Sequence, residues 1–138
     1  MKIYIIDDHA LFRNGLVSLL ESRKISAKAA ASPEQGLEEI PDLLIDIILL
    51  DLRMPSMSGL EVLRALKENN EKTPVVMLTT STDENDLRDC LKHGAQGYLL
   101  KDMDPDELVE ALNEVATGSI IVAQDMTHVL AKVLRNEL

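Results

Sequence analysis

The sequence is poor in aromatic residues and in cysteine. Aromatic residues make up 2% of the 138 residues, and tryptophan is absent. The core must therefore be packed from aliphatic side chains, and the aromatic platforms on which single-stranded nucleic acids stack are missing. Cys90 is the single cysteine, so no intramolecular disulfide can form, and we expect a reducing compartment. Its setting, DLRDCLKHG, has helical spacing, which favours a buried structural thiol over a nucleophile.

Positive charge and long apolar runs are also scarce. Lysine and arginine number 14 against 24 aspartate and glutamate residues, which gives a formal net charge of −10. Phosphate backbones repel such a chain, so we expect these residues not to bind DNA or RNA directly. No apolar run approaches the roughly 20 residues that cross a bilayer, and the early acidic residues do not fit a signal peptide. We therefore expect a cytoplasmic protein with no membrane partner.

Strand-like and helix-like segments alternate along the chain. Hydrophobic residues make up 46% of the sequence, which is enough for one domain of this length to bury a core. The predicted strands are residues 3–6, 27–31, 45–50, 75–78 and 97–100, and the predicted helices are residues 9–20, 32–40, 59–69, 83–93 and 105–117. Five strand-then-helix units predict an α/β fold, with a parallel sheet and helices on both of its faces. In such sheets the functional site lies beyond the carboxyl ends of the strands, where the strand order reverses.

An additional amphipathic helix is predicted after Gly118. Its apolar residues recur at helical spacing: Met126, Val129, Leu130, Val133 and Leu134. Two interpretations have equal weight. The helix either closes the core, or it is a linker or contact helix that leads to another domain. We expect a domain over residues 1–118, followed by a linker with this helix over residues 119–138.

Polar side chains follow four of the predicted strands. The first strand, in IYIIDDHA, ends at Asp7 and Asp8, the third at Asp51, the fourth at Thr79 and the fifth at Lys101. If the first and third strands are neighbours, the three carboxylates share one small space. Two unit charges about 4 Å apart repel by about 4 kcal/mol at an effective dielectric near 20, so either some carboxyls are protonated or a divalent cation lies among them. Two or three aspartate ligands without histidine or cysteine suit Mg²⁺, which prefers oxygen.

Each of these residues also has a commoner use. Asp8 alone could cap the following helix, Asp51 alone could begin a turn, and Lys101 alone could be a surface charge. Their joint position at strand ends favours a site. A lysine and the Thr79 hydroxyl suit phosphate oxygens, and a carboxylate beside them can act as a nucleophile towards a phosphoryl group. We interpret His9, directly after the acidic pair, as the start of a helix and not as a metal ligand.

Four stretches of the sequence resemble two-component response-regulator receiver domains. They are IIDDH, ILLDLRMPSMSGLEVL, PVVMLTTS and GAQGYLLKDM, in the family's order, and the resemblance covers residues 2–118. It implies a doubly wound, five-stranded parallel sheet of order 2-1-3-4-5, the flavodoxin-like order that CheY shares. Asp102 follows Lys101, where many members have proline. This variant, with LTTSTDENDL upstream, is similar to the NarL/FixJ transcription-factor subgroup.

The resemblance implies roles for particular residues. Asp51 would accept a phosphoryl group from a sensor histidine kinase. Asp7, Asp8, Asp51 and the backbone carbonyl of Arg53 would hold Mg²⁺. The other implied site residues are Lys101, which would bind the phosphoryl group, Thr79, the hydroxyl switch that would move towards it, and Tyr98, the aromatic switch that would turn inward.

The implied function is a phosphorylation-controlled signalling switch that regulates transcription. Such a chain is not an enzyme with a separate substrate; it catalyses only its own Mg²⁺-dependent aspartyl phosphorylation and dephosphorylation. DNA would be bound through a C-terminal helix-turn-helix domain that residues 1–138 do not contain. Dimerisation, through the fourth and fifth helices or through residues 126–134, is a further hypothesis. The alternatives are a stand-alone or never-phosphorylated receiver-like interaction module, and a small-molecule phosphohydrolase, which Arg53 disfavours because it occupies the position of the acid–base carboxylate.

Overall fold

The computed structural model describes residues 1–137, in which strands and helices alternate as predicted. The strands are β1 (Lys2–Ile6), β2 (Ser26–Ala30), β3 (Ile47–Leu50), β4 (Val75–Thr79), β5 (Gly97–Leu100) and β6 (Ile121–Val122). The α-helices are α1 (Ala10–Ser22), α2 (Pro33–Glu39), α3 (Gly59–Glu68), α4 (Glu84–Lys92), α5 (Pro105–Ala116) and α6 (Thr127–Asn136). Short 3₁₀ helices follow α2 (Ile40–Asp42) and precede α6 (Gln124–Met126).

All strand pairs are parallel, and the order across the sheet is β2-β1-β3-β4-β5-β6. The predicted order 2-1-3-4-5 is confirmed, but within residues 1–137 the predicted count of five strands is corrected to six. β6 pairs with β5, and the Ala123 N–H extends the ladder by donating to the Tyr98 carbonyl at 2.9 Å. A two-residue strand is too short to show a period of its own. Its one sequence signal is the β-branched run at residues 120–122.

Side chains that alternate along each strand fill two apolar layers, one on each face of the sheet. On β1, Ile3 and Ile5 pack with the buried residues of α1 and α5, whereas Tyr4 and Ile6 pack with those of α3 and α4. β3 is buried along its whole length, as expected for a strand covered on both faces. The sheet thus presents its strand ends, and not its faces, to solvent.

Local signals set the helix ends. The Ser32 side chain caps α2 by accepting a hydrogen bond from the Gln35 N–H at 3.2 Å, and Asp83 caps α4 by accepting from the Asn85 N–H at 2.7 Å. After α4 the chain turns at Gly94, whose φ of +96° is a conformation that glycine adopts without strain. These ends agree with the predicted boundaries to within a few residues.

α6 packs against α4. Met126, Val129 and Val133 are buried in the same apolar layer as α4, and the Asn136 amide donates to a Glu84 carboxylate oxygen at 3.4 Å. This packing supports the interpretation of a helix that closes the core, while the domain division at residue 118 stays a prediction. Among residues 1–137, no helix combines the length and the apolar character that crossing a membrane requires.

Candidate functional site

The register of the sheet brings the predicted carboxylates together. Ile6 of β1 pairs with Leu50 of β3, and the Asp51 N–H donates to the Ile6 carbonyl at 2.9 Å. Asp7 and Asp51, the next residues on the two strands, are therefore side by side at the carboxyl edge. The strand order reverses at this point, because β2 lies on the other side of β1. Asp7, Asp8 and Asp51, here named the carboxylate cluster, place oxygen atoms within 4.8 Å of one another.

Lys101 reaches the same cluster from the end of β5. Its Nζ atom lies 2.9 Å from Oδ2 of Asp7 and 3.3 Å from Oδ1 of Asp51. The ammonium also lies 4.5 Å from the centroid of the Phe12 ring on α1, a cation–π geometry. Only 11% of the lysine side chain is exposed. This cation is therefore held in place before any anion binds.

Burial and neighbouring charge set the electrostatics of Asp51. The residue is 4% exposed. Its pKa is raised above the ordinary value, first because burial disfavours the charged form and then because the Asp7 charge repels it; Lys101 acts in the opposite direction. The carboxylate of Asp51 is thus held in a poorly solvated state that an additional cation would stabilise.

Two oxygen atoms of the cluster have unsatisfied hydrogen-bonding capacity. Oδ1 of Asp8 and Oδ2 of Asp51 are buried, and neither has a hydrogen-bond partner among the described residues. A buried, unpaired carboxylate oxygen is costly unless a cation or donor meets it. The donor set therefore fits a divalent metal ion. Arg53, whose backbone carbonyl is the further predicted ligand, lies in the exposed loop after β3, and its role as a ligand stays a prediction.

His9 is a member of this site that the sequence interpretation missed. Its Nδ1 atom lies 3.3 Å from Oδ1 of Asp7, 3.4 Å from Oδ1 of Asp8 and 3.7 Å from Oδ2 of Asp51. Its helix-start position was predicted correctly, since it precedes α1, but its side chain does not cap the helix. The available signal was its position directly after the acidic pair.

Thr79 and Tyr98 have no side-chain hydrogen bond to the carboxylate cluster among residues 1–137, but both bond to Ser81. The Thr79 hydroxyl oxygen accepts a hydrogen bond from the Ser81 N–H at 3.1 Å, and the Tyr98 hydroxyl donates to the Ser81 carbonyl at 3.0 Å. Tyr98 is fully buried, and burial raises its pKa to about 12, so the phenol remains a donor. The ring lies inside the protein in this structure, and the inward turn on phosphorylation stays a prediction.

A second set of polar contacts continues from Ser81 to α4 and back to the loop after β3. The Ser81 hydroxyl donates to Oδ2 of Asp86 at 2.5 Å, and the Arg53 guanidinium contacts the same oxygen at 2.6 Å. Two of the loops that border the site are thus connected to one residue of α4. Cys90 on α4 is buried, and its pKa is raised to about 12 by that burial, as predicted for a structural thiol.

Gly59 allows the close approach that shapes the loop after β3. A Cβ atom at this position would collide with the backbone oxygen of Asp51 and the Cα of Leu52. The Gly59 N–H donates to the Leu52 carbonyl at 2.8 Å, while Ser58 caps α3. The loop therefore returns tightly to the end of β3, and only a residue without a side chain fits there.

Comparison with known proteins agrees with this geometry. Residues 3–113 match the family of response regulator receiver domains. The chain is 43% identical over 135 residues to the nitrate/nitrite response regulator protein NarL of Escherichia coli (strain K12), with 96% of this chain and 62% of that protein covered. It is 38% identical over 138 residues to the transcriptional regulatory protein DegU of Brevibacillus brevis, with 98% of this chain and 58% of DegU covered. The chain thus spans about three fifths of the length of these relatives.

A solved structure extends the similarity to the whole fold. A two-component response regulator of the LuxR family from Aurantimonas sp. SI85-9A1 superimposes with a TM-score of 0.88 at 26% identity, and the match covers 95% of each chain. The family match runs from β1 into α5 and includes every strand end that borders the carboxylate cluster. The chain therefore belongs to the receiver-domain family of two-component response regulators, in its NarL/FixJ-type subgroup.

Proposed function

We propose that Asp51 accepts a phosphoryl group from a sensor histidine kinase and that this modification controls the partner preference of the domain. The observation that carries the proposal is the Oδ2 atom of Asp51, which is buried, has no hydrogen-bond partner and belongs to a carboxylate already paired with Lys101. In its ionised form such an oxygen has a free lone pair with which to attack phosphorus. The new O–P bond forms as the P–N bond to the kinase histidine breaks, and that nitrogen takes a proton.

The charge of the phosphoryl group would be met by residues already in place. Mg²⁺, held by Asp7, Asp8, Asp51 and the Arg53 carbonyl, would neutralise phosphoryl oxygens and leave positioning as the main task of the protein. Lys101, which pairs with Asp51 before transfer, would pair with an oxygen of the transferred phosphoryl group afterwards. The reaction modifies the domain itself, and no separate substrate is turned over.

The signal would leave the site through Ser81. A Thr79 hydroxyl that turns to donate to a phosphoryl oxygen gives up its place as the acceptor of the Ser81 N–H. Ser81 also accepts from Tyr98 and donates to Asp86 on α4. Loss of one anchor on Ser81 therefore alters the restraint on both the buried phenol and α4. A shift between two such states needs a free-energy gap of only a few kcal/mol.

The output that we propose is regulation of transcription. The relatives include a nitrate/nitrite response regulator and a transcriptional regulatory protein, both of which are longer than this chain. DNA would be bound by a C-terminal domain outside residues 1–138, since a net charge of −10 opposes binding by these residues themselves. We place this activity in the cytoplasm, with the histidine kinase as partner and a homodimer as a further proposed state.

The test is intact mass spectrometry after incubation with acetyl phosphate and Mg²⁺. We expect a mass gain of one phosphoryl group that requires Mg²⁺ and is absent from Asp51→Asn. Asp42→Asn, which removes an exposed carboxylate, serves as the matched control and should retain the gain. A wild-type protein that gains no mass, or an Asp51→Asn protein that gains as much, would refute the proposal and favour an interaction module that is not phosphorylated.

A further inference from the structure

His9 occupies the open side of the carboxylate cluster. Asp7 turns Oδ2 to Lys101 and Oδ1 to His9, and Asp51 turns Oδ1 to Lys101 and Oδ2 to His9. Each of these carboxylates therefore has one oxygen paired with the lysine and the other facing the imidazole. Oδ1 of Asp7 also accepts the His9 backbone N–H at 2.8 Å, which leaves that oxygen a second lone pair.

The separations between Nδ1 and these oxygens suit a shared metal ion. They are 3.3, 3.4 and 3.7 Å, longer than ordinary N–H···O hydrogen bonds of about 2.7–3.2 Å. Ligands about 2.0–2.1 Å from a tetrahedral Zn²⁺ ion lie roughly 3.3–3.4 Å from one another. The distances from the imidazole nitrogen to the three carboxylates are thus close to the ligand-to-ligand distances of a four-coordinate site, and the four candidate ligand atoms lie within 4.8 Å of one another. The two buried oxygens without partners, on Asp8 and Asp51, belong to this set.

We propose that His9 is a fourth ligand, through Nδ1, which makes this site bind Zn²⁺ or a similar borderline transition-metal ion in competition with Mg²⁺. Imidazole nitrogen suits zinc, copper and nickel, whereas Mg²⁺ prefers oxygen ligands alone. An ion held by His9 and Asp51 together occupies the oxygen that would attack phosphorus. This inference rests on the proposed function, because the consequence of such binding is a lower rate of phosphorylation at Asp51.

The primary test is the ¹⁵N NMR spectrum of the protein labelled at its histidines, titrated with Zn²⁺ and, separately, with Mg²⁺. We expect Zn²⁺ to shift the Nδ1 resonance of His9 and Mg²⁺ to leave it nearly unmoved. The resonance is identified by its absence from His9→Asn. A His9 resonance that Zn²⁺ does not move overturns the proposal. The titration itself is carried out on the wild-type protein, and the variant serves only to assign the resonance.

The second test is the ratio of the Zn²⁺ and Mg²⁺ affinities, measured by competition with a metal-binding dye. His9→Asn should lower this ratio at least tenfold, since a ligand is lost for one ion and not for the other. His93→Asn is the matched control, because the His93 ring lies at the end of α4 with Nδ1 2.8 Å from the Asp89 carbonyl. A ratio that falls less than threefold in His9→Asn, or equally in His93→Asn, overturns the proposal.

The outcome is separable from that of the proposed function. Wild-type protein that gains a phosphoryl group with Mg²⁺ while Zn²⁺ leaves His9 unmoved refutes the role of His9 alone. A Zn²⁺-induced shift at His9 in a protein that gains no phosphoryl group supports the metal site and refutes the switch.

Discussion

Replacement of Asp51 by asparagine should make the folded protein more stable at neutral pH in the absence of metal. The substitution conserves the size of the side chain and removes one charge from a buried cluster. In the folded protein the pKa of Asp51 is raised above its ordinary value of 3.8, chiefly by burial and by the charge of Asp7. The charged form of this residue therefore opposes folding, and a neutral amide does not.

Coulomb's law gives the size of the effect. Charged carboxylate oxygens within 4.8 Å of one another repel by at least about 3.5 kcal/mol for each pair at an effective dielectric near 20. Asp51 has two such partners, Asp7 and Asp8. Its attraction to Lys101 at 3.3 Å amounts to about 5 kcal/mol at the same dielectric. Allowing for solvent screening at the partly exposed Asp8, we expect Asp51→Asn to gain about 1–2 kcal/mol.

The pH dependence follows from the direction of the pKa shift. Between pH 3.8 and the raised folded-state pKa of Asp51, the folded state holds its proton more tightly than the unfolded state. The stability of the wild-type protein relative to Asp51→Asn therefore falls as pH rises through this window. The difference between the two proteins should be small near pH 3.5 and reach its full value once pH exceeds the folded-state pKa.

The assay is urea unfolding followed by circular dichroism across this pH range, with and without Mg²⁺. Saturating Mg²⁺ should reduce the difference in free energy of unfolding between the two proteins. An ion that binds only the folded state stabilises it, and Asp51→Asn lacks one of the coordinating carboxylates. Asp42→Asn, the exposed control, should change stability by less than about 0.5 kcal/mol. A wild-type protein more stable than Asp51→Asn at pH 7 without metal would refute the electrostatic reasoning.

Three further predictions concern the loop after β3, the buried phenol and α6. Gly59→Ala should lower the free energy of unfolding, measured with urea, by about 2 kcal/mol or more, because the added methyl group collides with backbone atoms of Asp51 and Leu52. Gly15→Ala, on α1, should raise the free energy of unfolding by about 0.5–1 kcal/mol, because nothing lies near the added Cβ. Equal changes in the two glycine variants would contradict the close approach at Gly59. Tyr98→Phe should lose about 1 kcal/mol with its hydrogen bond, and an unchanged melting temperature would contradict that bond. Met126→Ala should lower the free energy of unfolding by about 2–5 kcal/mol, because Met126 is buried. Leu134→Ala should lower it by less than about 0.5 kcal/mol, because Leu134 is 60% exposed. Similar losses for the two variants in calorimetry would contradict the packing of α6.

The sheet and the meeting of its polar strand ends were predictable from short-range patterns. An apolar run such as residues 47–50 identifies a strand covered on both faces, and the chirality of crossovers leaves few ways to arrange five such strands. Once β1 and β3 are neighbours, Asp7 and Asp51 must lie together, since each directly follows the end of its strand. The roles of Asp51, Thr79, Lys101 and the other site residues stay predictions.

The rest of the site depends on side-chain directions that no local pattern contains. His9 faces the cluster because the chain turns into α1 directly after Asp8. The ion pair of Arg53 with Asp86 joins residues 33 positions apart. The buried Tyr98 donates a hydrogen bond to Ser81 in the loop after β4. β6 was missed for a different reason, because two residues are too few for a periodic signal.

The most direct measurement locates the phosphoryl group. Protein treated with acetyl phosphate and Mg²⁺ is reduced with borohydride, which converts an aspartyl phosphate to homoserine, and its peptides are sequenced by tandem mass spectrometry. The account predicts homoserine at position 51, directly after β3, and at no other aspartate. Homoserine at Asp7, Asp8 or an exposed aspartate, with an unmodified Asp51, would contradict it.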